Sequence, residues 1–198
     1  SVATGNRYHD PDPDDLKRHI EETKDRMQLA ADLGAPRVRV FGNNFPEDVP
    51  RDKTISQVAV ALKELAEHGV SVGVRPSLEL HGEFDWQACR DVAEQVDHEN
   101  FGLIWNSVPQ DIVDGSVAKA FETVWPWMDH VHMHDLAGQG YPYRELFQLL
   151  HDAGYEGYMS AEAERGADKG AGDLWMFTAY YGDLFRAYRD LARAGAGR

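Results

Sequence analysis

One cysteine, Cys89, stands in a chain of 198 residues. An intrachain disulfide is excluded, and the compartment this favours is the cytoplasm, where thiols stay reduced. No apolar run approaches the length of a membrane span, and no segment reads as a signal peptide. Cations are also scarce, with 20 Lys and Arg against 34 Asp and Glu, giving a formal charge of −14. Neutralising a phosphate backbone needs clustered Lys and Arg, so nucleic acid is excluded as a partner. The same balance leaves room for a small substrate or a metal cation in a local acidic pocket. Hairpin turn signals between strands are missing as well, and no glycine-rich phosphate loop follows any strand.

What is present is an ordinary globular composition, 42 % hydrophobic and 27 % charged, in a chain long enough for one domain with a real core. Residues 1–198 read as a single domain without linker or repeat. Ser1 to Asn6 reads as the end of a strand and a turn. Apolar residues at near-helical spacing predict helices over 14–33, 54–68, 85–96, 117–124, 143–153 and 174–194. Gly34, Gly69 and Gly154 stand as stops. Strands are expected at 37–42, 70–80, 101–106, 129–135 and 158–164. Strands alternating with helices indicate parallel pairing through crossover helices, hence an α/β fold, either a doubly wound sheet or a closed barrel. The absent phosphate loop weighs against the first.

The most unusual stretch is Asp129-His130-Val131-His132-Met133-His134-Asp135, three histidines and two carboxylates in seven residues. Alternation along a strand places His130, His132 and His134 on one side. Buried polar groups without partners are costly, and a metal would satisfy them, since neutral imidazole is a common ligand of divalent transition metals. Other strand ends add Glu79 with His81, Asn106, and Glu162 with Glu164. Carboxylates, an imidazole and an amide oxygen at C-terminal strand ends make a mixed nitrogen and oxygen donor set. That set suits Mn, Mg, Co or Zn.

Four segments in order, Leu33-Gly34-Ala35 before Val38-Arg39-Val40, Leu78-Glu79-Leu80-His81-Gly82, Val131-His132-Met133-His134-Asp135, and Ala153-Gly154-Tyr155-Glu156-Gly157-Tyr158-Met159-Ser160-Ala161-Glu162, resemble the xylose isomerase-like TIM barrels. This is the sugar phosphate isomerase/epimerase superfamily, and the resemblance runs from Ser1 through the last helix. It implies a (β/α)8 fold with a divalent cation held by Glu79, Asn106, His132 and Glu162. It also implies a metal-dependent isomerase or epimerase of a sugar or sugar-derived carbonyl compound. Glu79 and Glu162 would be the acid and base that move a proton on the carbon next to the carbonyl. His81, His134, Asp135 and Trp105 would line the substrate. A lyase or dehydratase acting on an inosose or an oxidised glycoside uses the same proton abstraction. A carbohydrate-binding protein without chemistry is the reading from a different class.

The chain departs from the family pattern in two ways. Position 106 usually carries aspartate and here is Asn106, and a histidine often found three residues later is replaced by Pro109. Loss of a negative charge predicts a weaker hold on the cation. A barrel of this class usually takes about 250 residues, so the chain is expected to be an N-terminally incomplete barrel of five to six strands. Open strand edges are an association hazard and give a reason for a homo-oligomer. Substrate choice is expected to lie in the loops 43–52, 138–143 and 165–172.

Overall fold

The computed structural model describes residues 1–138, 140–162 and 171–195. Among the described residues six strands alternate with six α-helices: β1 (Val2–Ala3), α1 (Pro13–Asp32), β2 (Arg37–Phe41), α2 (Arg51–Val72), β3 (Arg75–Glu79), α3 (Trp86–Val96), β4 (Gly102–Trp105), α4 (Ala118–Val124), β5 (Met128–Met133), α5 (Tyr143–Asp152), β6 (Met159–Ala161) and α6 (Ala171–Gly195). Their order in the sheet is their order in the chain. Parallel strands in chain order, each followed by a helix, are the arrangement of the TIM barrel, so the fold is α/β, an incomplete (β/α)8 barrel with six of its strands among the described residues. No helix among the described residues is long and apolar enough to cross a membrane.

The chain divides into two compact units, residues 1–105 with 123–129, and residues 106–122 with 130–198. In the first, β1 to β4 pair in parallel, with Val38 opposite Pro76 and Leu78 opposite Leu103. Val38, Val40, Leu62, Leu65, Leu78, Val92 and Leu103 form its buried core. In the second, β5 pairs with β6 through Val131 and Met159, His132 and Ser160, and Met133 and Ala161. There α5 packs on α6 through Phe147, whose ring lies 5.3 Å from both Phe185 and Tyr188.

Local chemistry sets the helix ends. Asp12 accepts from the Asp14 and Asp15 amides at 2.9 and 3.3 Å and caps α1, with Pro13 in the first turn. Asp85 caps α3 in the same manner through the Ala88 amide. The end of α2 corrects the sequence reading, which stopped it at 68 and began a strand at 70. Gly69 lies inside the helix, where a Cβ would sit 2.1 Å from the Val74 carbonyl oxygen and 2.7 Å from Met27 Cε. It is a glycine of close packing. The stop is Gly73, in the left-handed region at φ 70°.

At the N-terminal strand ends of the first unit, Asp129 of β5 reaches Ser77 Oγ of β3 at 2.9 Å and Arg37 Nε of β2 at 3.3 Å. Arg75 Nη1 stands 3.7 Å from the same carboxylate. Gly102 of β4 makes this reach feasible, since a Cβ there would lie 2.6 Å from Asp129 Cγ. Gly102→Ala is expected to lower stability by about 1–3 kcal/mol, the usual penalty of overpacking. Urea denaturation checks this, and an unchanged midpoint would show that the carboxylate can move aside.

Candidate active site

The C-terminal strand ends of the first unit carry Glu79, His81 and Arg39. Glu79 closes β3 and is fully buried, with Arg39 Nη1 3.2 Å from its Oε2. Arg39 pairs in register with Ser77 and Phe41 with Glu79, so Arg39 and Glu79 lie on one face of neighbouring strands. The Arg39 guanidinium sits 4.4 Å over the Phe41 ring. Phe41 in turn tilts against the exposed His81 ring at 4.9 Å. Trp105, expected beside the substrate, is fully buried at the end of β4.

The loop that follows β2 is fastened at several points. Gly42 has no room for a side chain, because the Phe84 ring presses on it, 2.1 Å from where a Cβ would stand. Phe84 stacks on Phe45 at 4.5 Å, Phe45 donates its amide to Glu83 Oε2 at 2.7 Å, and Arg51 covers the Phe45 ring at 3.9 Å. Asn43 adopts a left-handed φ of 67°, which asparagine tolerates, and its Nδ2 donates to the Asn6 carbonyl at 3.3 Å.

In the second unit β5 and β6 bring imidazoles and a carboxylate together. His132 Nδ1 lies 3.4 Å from Glu162 Oε2, with His132 buried and the Glu162 side chain 43 % exposed. His130 is also buried, its Nε2 3.0 Å from Ser160 Oγ and its ring edge-on to His132 at 5.1 Å. The third histidine, His134, is half-buried and places Nδ1 3.0 Å from the Glu162 carbonyl oxygen. Asp135 is half-buried as well and accepts from the Ala137 amide at 3.0 Å, forming a turn. Asn106 is buried directly after β4. Glu164 lies outside the described residues, as do Gln139 and residues 165–170 of the loops in which substrate choice was expected.

The backbone of this strand end is held by hydroxyls. Ser107 Oγ donates to the His132 carbonyl at 2.8 Å. The Tyr181 hydroxyl of α6 reaches the Met133 and His134 carbonyls at 3.1 and 2.9 Å. The His134 amide donates to the Tyr143 hydroxyl at 2.9 Å. Burial pushes the Tyr143 hydroxyl up to about 12, against hydrogen bonds that lower it, so it stays protonated at neutral pH.

The description "xylose isomerase-like TIM barrel" belongs to the family whose model matches residues 2–179. The chain belongs to this family. A 2-oxo-tetronate isomerase of Cupriavidus necator is 25 % identical over 169 residues, which is 76 % of this chain and 63 % of that protein. The chain spans less than two thirds of the length of the curated relatives it matches first. Among solved structures, an L-ribulose 3-epimerase superposes with a TM-score of 0.80 at 18 % identity, over 100 % of this chain and 75 % of that one. A xylose isomerase-like TIM barrel protein from Mycobacterium smegmatis in complex with magnesium gives 0.67 at 16 % identity, over 96 % and 73 % of the two chains.

Within this family member, the sequence reading missed Arg39, Ser107 and Tyr181. Arg39 had one signal, a charge between Val38 and Val40 on a strand whose next same-side residue is aromatic. Ser107 and Tyr181 had none, because each acts on a backbone carbonyl that no side-chain pattern reports.

Proposed function

We propose that the protein is a metal-dependent isomerase or epimerase of a small sugar or sugar-derived carbonyl compound, working in the cytoplasm. Glu79, His132, Glu162 and Asn106 would hold the cation, and the first three each offer one nitrogen or oxygen donor atom. The observation that carries the reading is the His132–Glu162 pair, an imidazole nitrogen 3.4 Å from a carboxylate oxygen at neighbouring strand ends. Imidazole with carboxylates fits manganese, magnesium, cobalt or zinc. The names of the relatives, an isomerase of a 2-oxo acid and a ketose epimerase, agree with the substrate class.

When bound, the cation would polarise the substrate oxygens and offset the negative charge that develops as the proton leaves. The chain's own residues do the rest. Glu162, partly open to solvent, takes or returns the proton on the carbon beside the carbonyl. Glu79, buried and braced by Arg39, serves the opposite face. His134 and Asp135, both half-buried, and the exposed His81 contact the substrate's polar groups, and Trp105 backs the site from within. The Ser107 and Tyr181 hydroxyls fix the backbone that carries His132 and His134.

Metal content tests this first. Plasma mass spectrometry of the purified protein is expected to find about one divalent cation per chain, lost in His132→Ala. Equal metal in both proteins, or none in either after soaking in Mn²⁺, would overturn the reading.

A further inference from the structure

We propose that Arg39 is a positioning residue that occupies one oxygen of Glu79 and thereby weakens the hold of the site on its cation. The inference rests on the cation reading above and adds a residue that acts against the metal.

Arg39 Nη1 is 3.2 Å from Glu79 Oε2, and Glu79 is fully buried. A carboxylate in that setting feels a guanidinium strongly, because little water lies between them to screen the charge. The guanidinium is also held from its flat side by Phe41 at 4.4 Å, and Phe41 is held by His81 at 4.9 Å. These contacts define the position of the guanidinium beside Glu79. Glu79 Oε2 faces the guanidinium as an ion pair, so part of the charge that Glu79 offers is offset before a cation binds.

The rest of the donor set sharpens the effect. Position 106 carries an amide in this chain, so among the described donors Glu79 and Glu162 are the two that bring negative charge to the cation. A permanent positive charge beside one of two carboxylates is a larger perturbation than beside one of three. Removing the charge of Arg39 while keeping a hydrogen-bond donor should tighten cation binding, the reverse of what truncation near a ligand usually does.

Isothermal titration with Mn²⁺ on the wild type, Arg39→Gln and Glu79→Gln decides the matter, with circular dichroism confirming that each is folded. The expected result is binding at least about tenfold tighter in Arg39→Gln than in the wild type, and lost or strongly weakened in Glu79→Gln. Unchanged or weaker binding in Arg39→Gln, beside a wild type that binds one Mn²⁺, overturns the role of Arg39 and leaves the cation reading standing. No heat from any of the folded proteins overturns both. A weakly binding wild type beside a tightly binding Arg39→Gln supports the proposal directly. Should Arg39→Gln fail to fold, the guanidinium N–H resonances of Arg39 in the wild type serve instead, titrated with Mg²⁺. Shifts that saturate with the cation support the shared oxygen, and unmoved resonances overturn it.

Discussion

Glu162→Gln is expected to lower turnover by about 10² to 10⁴-fold, the usual contribution of a positioned acid or base. The amide keeps an oxygen that can face a cation but has no site of suitable basicity for a proton. Wash-in of solvent deuterium at the carbon next to the carbonyl, followed by NMR, reads the step itself. Ketoses such as L-ribulose and small 2-oxo acids are the compounds to offer. Wild-type exchange in Glu162→Gln would remove this residue from the proton transfer. A large loss of exchange with cation binding little changed would separate its role as base from its role as ligand.

The second large effect is expected at the other end of the strands. Asp129→Ala removes the buried carboxylate that Arg37, Arg75 and Ser77 share, and leaves the largely buried Arg37 guanidinium without it. Breaking such a pair costs about 3–5 kcal/mol. Asp129→Asn keeps an acceptor oxygen and should cost distinctly less. The pH dependence distinguishes the two terms. Burial pushes the Asp129 carboxyl above the usual carboxylate range, and Arg37, Ser77 and Arg75 pull it back only in part. The folded chain thus holds this proton more tightly than the unfolded one. The stability this brings is complete below the ordinary carboxylate value and is lost as pH rises through the raised value. Urea denaturation at several pH values from about 4 upward should show the wild type losing stability relative to Asp129→Asn. Parallel curves for the two proteins would mean that the ion contacts fully offset burial.

Most of the scaffold was legible in the sequence because it is written in side-chain periodicity. Ile20, Met27 and Ala30 mark the buried face of α1, and Asp12 with Pro13 marks its start. The cation candidates were legible for another reason, since carboxylates and imidazoles at the ends of apolar strands are chemically conspicuous. What escaped the sequence depends on distances between segments. Gly69 and Gly73 are the same residue type four positions apart, and only the packing of Met27 and Val74 against Gly69 tells the internal glycine from the terminal one. Arg39 could be seen as a charge in a strand, but its partner Glu79 is fixed by the register of β2 with β3. Ser107 and Tyr181 hold carbonyls, which every residue has, so nothing in their spacing points to the task.

The loop behind Phe45 has a consequence for molecular recognition. With Gly42 pressed by Phe84, Phe45 stacked and hydrogen-bonded, and Arg51 lying over it, this wall loses its conformational freedom when the chain folds. A ligand that touches it meets no ordering penalty there, since none is left to incur. Such a surface discriminates as a rigid mould does. A ligand of matching outline would be held there at little entropic expense, and one of a different outline would be disfavoured.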